Sequence, residues 1–463
     1  MIYNSNSVKD IKIAYIGGGS RGWAWGLMSD LAVAEDISGK VELYDIDFES
    51  AKHNEIIGNK LNELEGCRSK WEYKAVETLE EALNGADFVI ISIQPATFDE
   101  MQSDVHAPEK YGIYQSVGDT TGPGGIIRAL RTIPMYEVIG NAIKNHAPNA
   151  WVINYTNPMA VCVNTLYSVF PEIKAFGCCH EVFGTQRFIS KILEEELNIK
   201  DVPRKEIKTN VVGVNHFTWF TDAKYKNMDI FPIYRRFCEK NAEKGFDDGG
   251  DDNWMNSTFL SAEMVKMDLF KRFGYIAAAG DRHLAEFCPH SWYLNSPDQV
   301  KSMKFGLTTV DSRKKGLKDR LDRSARLVSG EEIFEFKETG EEGVNQIRAL
   351  LGLEDLVTNV NIPNVGQIPN LPKGVVVETN AVFTSDRVSP VDAGNIPAEI
   401  YPLISRLAGE QVLTVKAGLE KNLDLAFNAF VCDPLVDIPL DDAKALFDEM
   451  IENTKEYLKE YNI

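Results

Sequence analysis

The chain has 463 residues, of which 44% are hydrophobic and 25% are charged, and this length and composition are typical of a globular protein with two domains. The formal net charge is -20. That balance excludes a nucleic-acid binder, because such proteins need a basic surface to displace counterions.

The expected compartment is the cytoplasm, without membrane contact. The first ten residues lack the apolar core of a secretory signal. No stretch approaches the roughly 20 apolar residues that are needed to cross a bilayer. The seven cysteines are an odd number at scattered positions, so they do not form a disulfide framework and favour a reducing compartment.

The first two hundred residues alternate short apolar segments with longer segments of helical spacing. Predicted strands lie at residues 11–16, 41–46, 88–93 and 151–155, and predicted helices between them include 23–34, 51–64 and 136–144. Short buried strands separated by helices predict a parallel sheet that is covered on both faces. The fold class is therefore α/β, with an N-terminal doubly wound, Rossmann-like sheet whose ligand crevice lies at the carboxyl ends of the strands.

A glycine-rich turn follows the first of these strands. Gly17, Gly19 and Gly22 form the G-x-G-x-x-G pattern, with Ser20 between them, directly before the helix at 23–34. Such a turn lets the backbone approach a pyrophosphate at a helix N-terminus. Asp45 ends the next strand, where a carboxylate accepts hydrogen bonds from ribose hydroxyls and repels a 2′-phosphate. The pattern predicts NAD rather than NADP.

Gln94 follows the strand at 88–93 and is predicted to lie near the nicotinamide half of the cofactor. An ordinary polar strand end is the alternative interpretation of this residue.

The pattern changes near residue 205, so we predict a dinucleotide-binding domain at 1–205 and a second domain at 206–463. The second domain is expected to be α+β and rich in helices, and to carry the substrate, the metal and the oligomer contacts. Strands are predicted at 210–214 and 374–379 and helices from residue 400 onward. The polar segment 245–253 is predicted to be an exposed loop, and the segment 361–372, rich in Pro and Asn, to be irregular.

Two further clusters follow predicted strands and are candidates for a metal site. Cys179 and His180 lie in CCHEV after a strand at 173–176, and His216 lies in NHFTW. A thiolate and an imidazole suit a borderline divalent ion. Buried cysteines and histidines are also common in protein cores, so the residues alone leave both interpretations open.

The ordered motifs together resemble the family 4 glycoside hydrolases. They are IGGGSRG, TNPM at 156–159, CCHEV at 178–182, NHFTW at 215–219, and NVGQIPNLP at 364–372 followed by Val377–Glu378. This family is NAD-dependent and departs from the two-carboxylate rule for glycosidases. The resemblance implies NAD and a divalent ion, usually Mn²⁺, as cofactors.

The resemblance also implies roles for individual residues. Cys179 and His216 match the metal ligands, while Cys178 does not. His180 matches the acid that assists the leaving group. Asn157 matches the Asn that contacts the substrate in the family's Asn-Pro motif. Asn215, in the Asn-His motif, is also expected to contact the substrate.

The remaining implied roles concern the segment GDRHLAEF. Several branches of the family have a Tyr as the base that removes a proton, and this segment makes Asp281 the expected base here. A uronate needs a cation near its carboxylate, for which Arg282 and Arg21 are candidates.

His180 with Glu181 resembles the branch that cleaves uronides, with α-galacturonides preferred. The implied reaction begins with oxidation of the sugar at C3 by NAD⁺ and removal of the C2 proton. The C1 substituent is then eliminated, water adds at C1, and NADH reduces the C3 ketone back to the alcohol. Alternatives within the family are an α-glucuronidase or a neutral α-glucosidase or α-galactosidase. The expected partner is a sugar, and the expected assembly is a homodimer or a homotetramer.

Two interpretations that assign the chain to other classes of protein compete with a family 4 glycoside hydrolase. An NAD-dependent 2-hydroxy acid dehydrogenase has a similar fold, but it does not account for the CCHEV and NHFTW pair. A non-enzymatic NAD(H) sensor has no need of a Cys/His pair beside Asp281.

Overall fold

The computed structural model describes residues 1–246 and 261–461. The predicted exposed loop at 245–253 lies mostly outside these residues. Within them, no helix combines the length and the apolar character that crossing a bilayer requires.

The strands are β1 Ile2–Asn4, β2 Ser7–Ile16, β3 Ile37–Tyr44, β4 Trp71–Val76, β5 Phe88–Ile91, β6 Trp151–Asn154, β7 Lys174–Gly177, β8 Ile207–Val214, β9 Phe217–Tyr225, β10 Met228–Asp229, β11 Ile276–Ala277, β12 Leu356–Pro363, β13 Val376–Thr384 and β14 Arg387–Pro390. The helices of the first half are α1 Trp23–Val33, α2 Phe48–Leu61, α3 Leu79–Leu83, α4 Phe98–His106, α5 Gly122–His146, α6 Met159–Val169, α7 Glu181–Leu197 and α8 Phe231–Asn241. Those of the second half are α9 Met264–Phe273, α10 Asp281–Glu286, α11 His290–Tyr293, α12 Pro297–Ser302, α13 Val310–Ser329, α14 Gly343–Leu350, α15 Tyr401–Leu419, α16 Leu423–Cys432 and α17 Leu440–Thr454.

The predicted doubly wound sheet is confirmed. Its parallel part has the strand order β4-β3-β2-β5-β6-β7, so the order reverses beside β2. These strands are short and apolar, and β5 is buried along its whole length. Helices on both faces exclude water from such strands. A crevice at the carboxyl ends of β2 and β5 is the usual ligand site of this topology.

Strands from far along the chain extend this sheet. β12 pairs antiparallel with β7, and β13 and β14 continue the edge. The predicted irregular segment at 361–372 is therefore wrong for its first three residues, because pairing with β13 keeps β12 extended to Pro363. Tertiary pairing overrides a weak strand propensity. The division near residue 205 stays a prediction.

A second, antiparallel sheet is built around β9, which pairs with β8, β10 and β11. Trp219 and Phe220 on β9 are fully buried on opposite faces. Helices from both halves of the chain cover this sheet, among them α7, α8, α9 and α15. Its first hairpin, β8–β9, turns next to the carboxyl ends of β6 and β7, which positions the candidate site.

Candidate active site

The glycine loop follows β2 with a backbone that only glycine fits. Gly17 has a φ of +90°, and a Cβ on it would lie 2.0 Å from the Ser92 carbonyl oxygen. A Cβ on Gly19 would lie 2.6 Å from Cβ of Ser50. Ser20 is half-buried within the loop, and α1 starts after Gly22 with no acidic side chain in its first turn. A bare helix start beside a crevice favours an anion, so the loop fits a diphosphate.

Asp45, directly after β3, fixes the glycine loop through a hydrogen bond. Its Oδ2 accepts from the Gly19 amide and its Oδ1 from the Asp47 amide, both at 2.9 Å. Burial raises the pKa of Asp45 above its ordinary value, while these two amides act in the opposite direction. Each oxygen has a second lone pair, so the carboxylate still has acceptor capacity for a ribose hydroxyl.

Arg128 on α5 joins two of the predicted residues. Its Nε donates to the Asn157 carbonyl oxygen at 3.0 Å, and its Nη2 donates to Gln94 Oε1 at 3.3 Å. Arg128 Nη1 and Asn157 Oδ1 are buried, and neither has a hydrogen-bond partner among residues 1–246 and 261–461. Gln94 itself is exposed. The crevice therefore presents one donor and one acceptor that a ligand would satisfy.

Cys179 lies two residues after β7, and its side chain is buried. Asn359 Nδ2 donates to the Cys179 carbonyl oxygen at 3.1 Å and so fixes the backbone there. Burial, followed by the negative charges of Glu378 and Glu181, raises the pKa of the Cys179 thiol well above its ordinary value. A divalent cation beside the sulfur would reverse this, because a coordinating thiol is deprotonated.

His216 occupies the two-residue turn between β8 and β9 and has a φ of +63°. Its Nδ1 lies 3.1 Å from Thr120 Oγ1, and its ring centroid lies 3.9 Å from that of His283. Burial and then the charge of His283 lower the pKa of His216 to about 3. The imidazole is therefore neutral at physiological pH, which is the form that binds a metal.

Glu181, the first residue of α7, links the histidines of the site. Its Oε1 lies 3.8 Å from His180 Nε2 and 3.7 Å from His283 Nε2, and its Oε2 accepts from the Gly280 amide at 2.8 Å. Burial alone would raise the pKa of Glu181, but His283, His180 and His216 lower it to about 2. The structure thus links the predicted residues His180 and His216 through Glu181 and His283.

His180 is held from its other side by Glu341, whose Oε1 lies 3.1 Å from His180 Nδ1. Burial lowers the pKa of His180, but Glu341 and Glu181 outweigh it and raise the pKa to about 9. The ring is therefore an imidazolium near neutral pH, the form that a proton donor needs. Trp23, the first residue of α1, lies 6.0 Å from the His180 ring, so the donor sits beside the glycine loop.

Glu378 on β13 connects the segments of Cys179 and His216. Its Oε1 accepts from Asn359 Nδ2 at 2.6 Å, and its Oε2 accepts from Asn215 Nδ2 at 3.3 Å. Burial raises the pKa of Glu378 to about 7. Asn215 is fully buried, and its Oδ1 has no hydrogen-bond partner in the described part of the chain. The Asn215 side chain is thereby oriented with one acceptor left for a ligand.

Arg282 packs on the segment before α5. Its Nη2 donates to the Ser116 carbonyl oxygen at 2.5 Å, and Ser116 Oγ donates back to the Arg282 carbonyl oxygen at 2.5 Å. Burial lowers the pKa of Arg282 to about 10, so it stays a cation. Next to it, burial alone would raise the pKa of Asp119, but Arg128 and Arg313 lower it to about 2.

Asp281 is fully buried at the start of α10, and its carboxylate faces α9. Its Oδ2 accepts from the Val265 amide at 3.2 Å and its Oδ1 from the Lys266 amide at 3.0 Å. Burial raises its pKa, and the Lys266 charge opposes this. Of the side chains on α10, His283 is the one that contacts His216. The base role of Asp281 stays a prediction.

The site contains groups to which the sequence assigned no role. They are Asp119, Arg128, Glu181, His283, Glu341 and Glu378. His283 and Glu181 lie next to predicted site residues in the sequence, so their presence at the site could have been predicted. Glu341 lies in an unremarkable acidic stretch before α14, where no local signal marks it.

Cys179 and His216 are two protein donors of suitable chemistry for a divalent ion. No group of three or more His, Cys, Asp or Glu side chains arranged to hold a metal occurs in residues 1–246 and 261–461. Further ligands would therefore have to be water or substrate oxygens, as in metal sites that keep open positions. The orphan acceptor of Asn215, next to His216 in the chain, fits a polar ligand.

Comparison with known proteins places this chain in a family. The family 4 glycosyl hydrolase profile matches residues 12–195, and the profile of the family's C-terminal domain matches residues 211–436. The α-galacturonidase of Thermoanaerobacterium saccharolyticum is 63% identical over 463 residues, which is 100% of both chains.

Solved structures agree with this. The crystal structure of lplD from Bacillus subtilis has a TM-score of 0.91 and 51% identity, and covers 96% of this chain and 100% of its own. A 6-phospho-α-glucosidase from gut microorganisms, in complex with NAD and Mn²⁺, shares the fold at a TM-score of 0.80 with 21% identity, covering 97% and 99% of the two chains. The chain belongs to the family 4 glycosyl hydrolases.

Proposed function

We propose that this chain hydrolyses α-linked galacturonides by transient oxidation of the sugar. The observation that carries the proposal is the His180–Glu181–His283–His216 cluster next to a glycine loop. The full-length identity of 63% to an α-galacturonidase supports the choice of sugar. An ordinary glycosidase has no need of a dinucleotide fold, whereas a reaction that begins with oxidation at C3 does.

The cofactor proposed for the first crevice is NAD⁺, which accepts the C3 hydride and returns it at the end of the cycle. Gly17, Gly19, Ser20 and Gly22 would bind its diphosphate, and Asp45 would bind the adenosine ribose. The exposed Gln94 would lie by the nicotinamide. Arg128 keeps Gln94 and Asn157 in fixed positions through two hydrogen bonds.

A divalent ion, with Mn²⁺ preferred, is proposed between Cys179 and His216, where it would favour negative charge on the oxygens of C2 and C3. The chain's own residues prepare this place. Glu378 orients Asn215, and Asn359 fixes the backbone of Cys179. Asn157 and Asn215 would each contact a sugar hydroxyl, because their Oδ1 atoms are otherwise unsatisfied among the described residues.

His180 is proposed to protonate the leaving group at C1. Its carboxylate neighbours Glu341 and Glu181 keep the ring charged, and the Trp23 ring lies beside it. Asp281 is proposed to remove the C2 proton. Arg282, a buried cation beside the 116–120 segment, is proposed to bind the uronate carboxylate.

Substrate choice is tested with purified protein, NAD⁺, Mn²⁺ and a thiol reductant. We expect release of p-nitrophenol from the α-galacturonide at least about 100-fold faster than from the α-galactoside, because the galactoside lacks the carboxylate that a buried cation would bind. The α-glucuronide and the 6-phospho-α-glucoside complete the panel. Turnover of the phosphorylated sugar alone would overturn the uronide assignment, and net NADH formation without glycoside cleavage would indicate a dehydrogenase.

Removal of the ribose contact tests the cofactor assignment. Asp45→Ala is expected to raise the Kd for NAD⁺ roughly 10- to 100-fold, because it deletes charged hydrogen bonds to the ligand and to Gly19. Isothermal titration calorimetry measures the effect, and the thermal midpoint of the unliganded variant reports any damage to the loop. An unchanged Kd would place the ribose contact elsewhere.

We also propose that the protein acts in the cytoplasm as a homodimer or a homotetramer. The seven cysteines support a reducing compartment, since all are free. Sedimentation velocity of the purified protein tests the assembly, and a monomer across micromolar concentrations would contradict it.

A further inference from the structure

Helix α13 crosses the mouth of the dinucleotide crevice. At its start, Lys314 pairs with Asp99 of α4 at 2.8 Å. At its end, Lys60 of α2 donates to the Leu327 carbonyl oxygen at 3.0 Å. α4 follows β5 and α2 follows β3, and β2 lies between these strands. The helix therefore passes over the carboxyl end of β2, where the glycine loop is.

The face of α13 that is turned toward the loop carries two arginines one heptad apart. Arg313, Gly316 and Arg320 share this face, because residues three, four and seven apart align on a helix. Arg320 Nη1 lies 3.6 Å from the position of a Cβ on Gly22. A Cβ on Gly316 would approach only the Arg320 side chain among the described residues. The space between the helix and the loop is therefore open to a ligand.

Three cations meet there, and the acids nearest to them are Asp119 on the side of Arg313 and Asp45 and Asp47 on the side of Arg21. Partial burial, and then the like charges of Arg313 and Arg21, lower the pKa of Arg320, whose side chain is still exposed to solvent. No ion pair joins Arg21, Arg313 or Arg320 to a carboxylate within the residues that the structure describes. The Nε atoms of Arg21 and Arg313 are buried and have no hydrogen-bond partner in that same part of the chain. A bound anion would offset the repulsion between these cations and supply a partner for the two Nε atoms.

We propose that α13 is a cationic strap that binds the diphosphate of the dinucleotide through Arg313 and Arg320, opposite the glycine loop and Arg21. This rests on the proposed function only in taking NAD⁺ as the ligand. The planar guanidinium suits phosphate oxygens, which it binds in pairs. The strap belongs to the second half of the chain, so cofactor binding would join the two halves across the crevice.

The test is equilibrium binding of NAD⁺ and of ADP-ribose to the full chain without sugar or metal. Arg320→Gln and Arg313→Gln are each expected to raise both Kd values at least tenfold and to flatten their dependence on salt, since each loses a screened ionic contact. Lys318→Gln makes the same charge change on the side of α13 that is turned away from the loop and should stay within twofold. Arg320→Lys should recover part of the affinity of Arg320→Gln.

Wild-type Kd values in both glutamine variants would overturn the proposal that α13 binds the diphosphate. An equal rise of Kd in Lys318→Gln would also overturn it, because that result indicates that the overall positive charge of the helix attracts the ligand rather than a direct contact. A raised KM for the galacturonide with an unchanged Kd for NAD⁺ would assign the arginines to the sugar carboxylate instead. Thermal midpoints identify a variant that fails to fold, in which case Arg320→Lys and Arg313→Lys decide. If the proposed function is wrong, the wild type will cleave no glycoside, and this result is independent of the binding measurements.

Discussion

Replacing Cys179 by serine, or His216 by alanine, is expected to lower turnover of the galacturonide roughly 10³-fold or more. Each change removes one of the two protein donors of the proposed ion. The Cys179 thiol is buried beside Glu378 and Glu181, so its pKa is high and a cation is needed to hold it as a thiolate. Serine keeps the shape but is a poor donor for a borderline metal.

The measurements are steady-state turnover over a range of Mn²⁺ concentrations and Mn²⁺ binding by calorimetry. NAD⁺ binding should stay within a few-fold of the wild type, because neither residue contacts the glycine loop. Cys178→Ser is the matched control. Cys178 is the adjacent buried thiol, and it packs in the core of the Rossmann-like sheet. Full activity in Cys179→Ser or His216→Ala would reject the ligand assignment.

The parts of the fold that local patterns specify were predictable. The glycine loop, β2, β5 and β6 are each marked by a short apolar run with a turn after it. Strand β12 was not predictable from the sequence, because its pairing with β7 joins segments far apart in the chain and its last three residues are Asn, Ile and Pro. Such long-range pairing depends on tertiary contacts rather than on propensity.

The candidate site divides in the same way. Cys179, His180 and His216 stand in motifs that follow strands, so they could be placed at one edge of the sheet. Glu341 approaches His180 from the loop before α14, and only the folded structure shows that contact. A carboxylate without a neighbouring motif is indistinguishable from a solvated surface charge in the sequence.

Asp281→Asn is expected to lower turnover by roughly 10²- to 10⁴-fold, as for the loss of a general base. An amide cannot accept a proton from C2. Product formed by the wild type in D₂O should carry deuterium at C2, and the variant should lose C2 exchange and turnover to the same extent. With a substrate deuterated at C2, the residual rate of the variant should show a larger isotope effect than that of the wild type, because proton removal then limits the rate.

Folding must be separated from chemistry in this variant, because the Asp281 carboxylate also accepts from the amides of Val265 and Lys266. Asp268→Asn is the matched control: it makes the same change on neighbouring α9, where the carboxylate accepts from the Tyr293 hydroxyl at 2.5 Å. A folded Asp281→Asn variant that still exchanges the C2 proton would disprove the base assignment. If His283→Gln then abolished exchange, the role would pass to His283, whose ring centroid lies 3.9 Å from that of His216. Asp281 would in that case be a positioning residue that anchors α10 to α9.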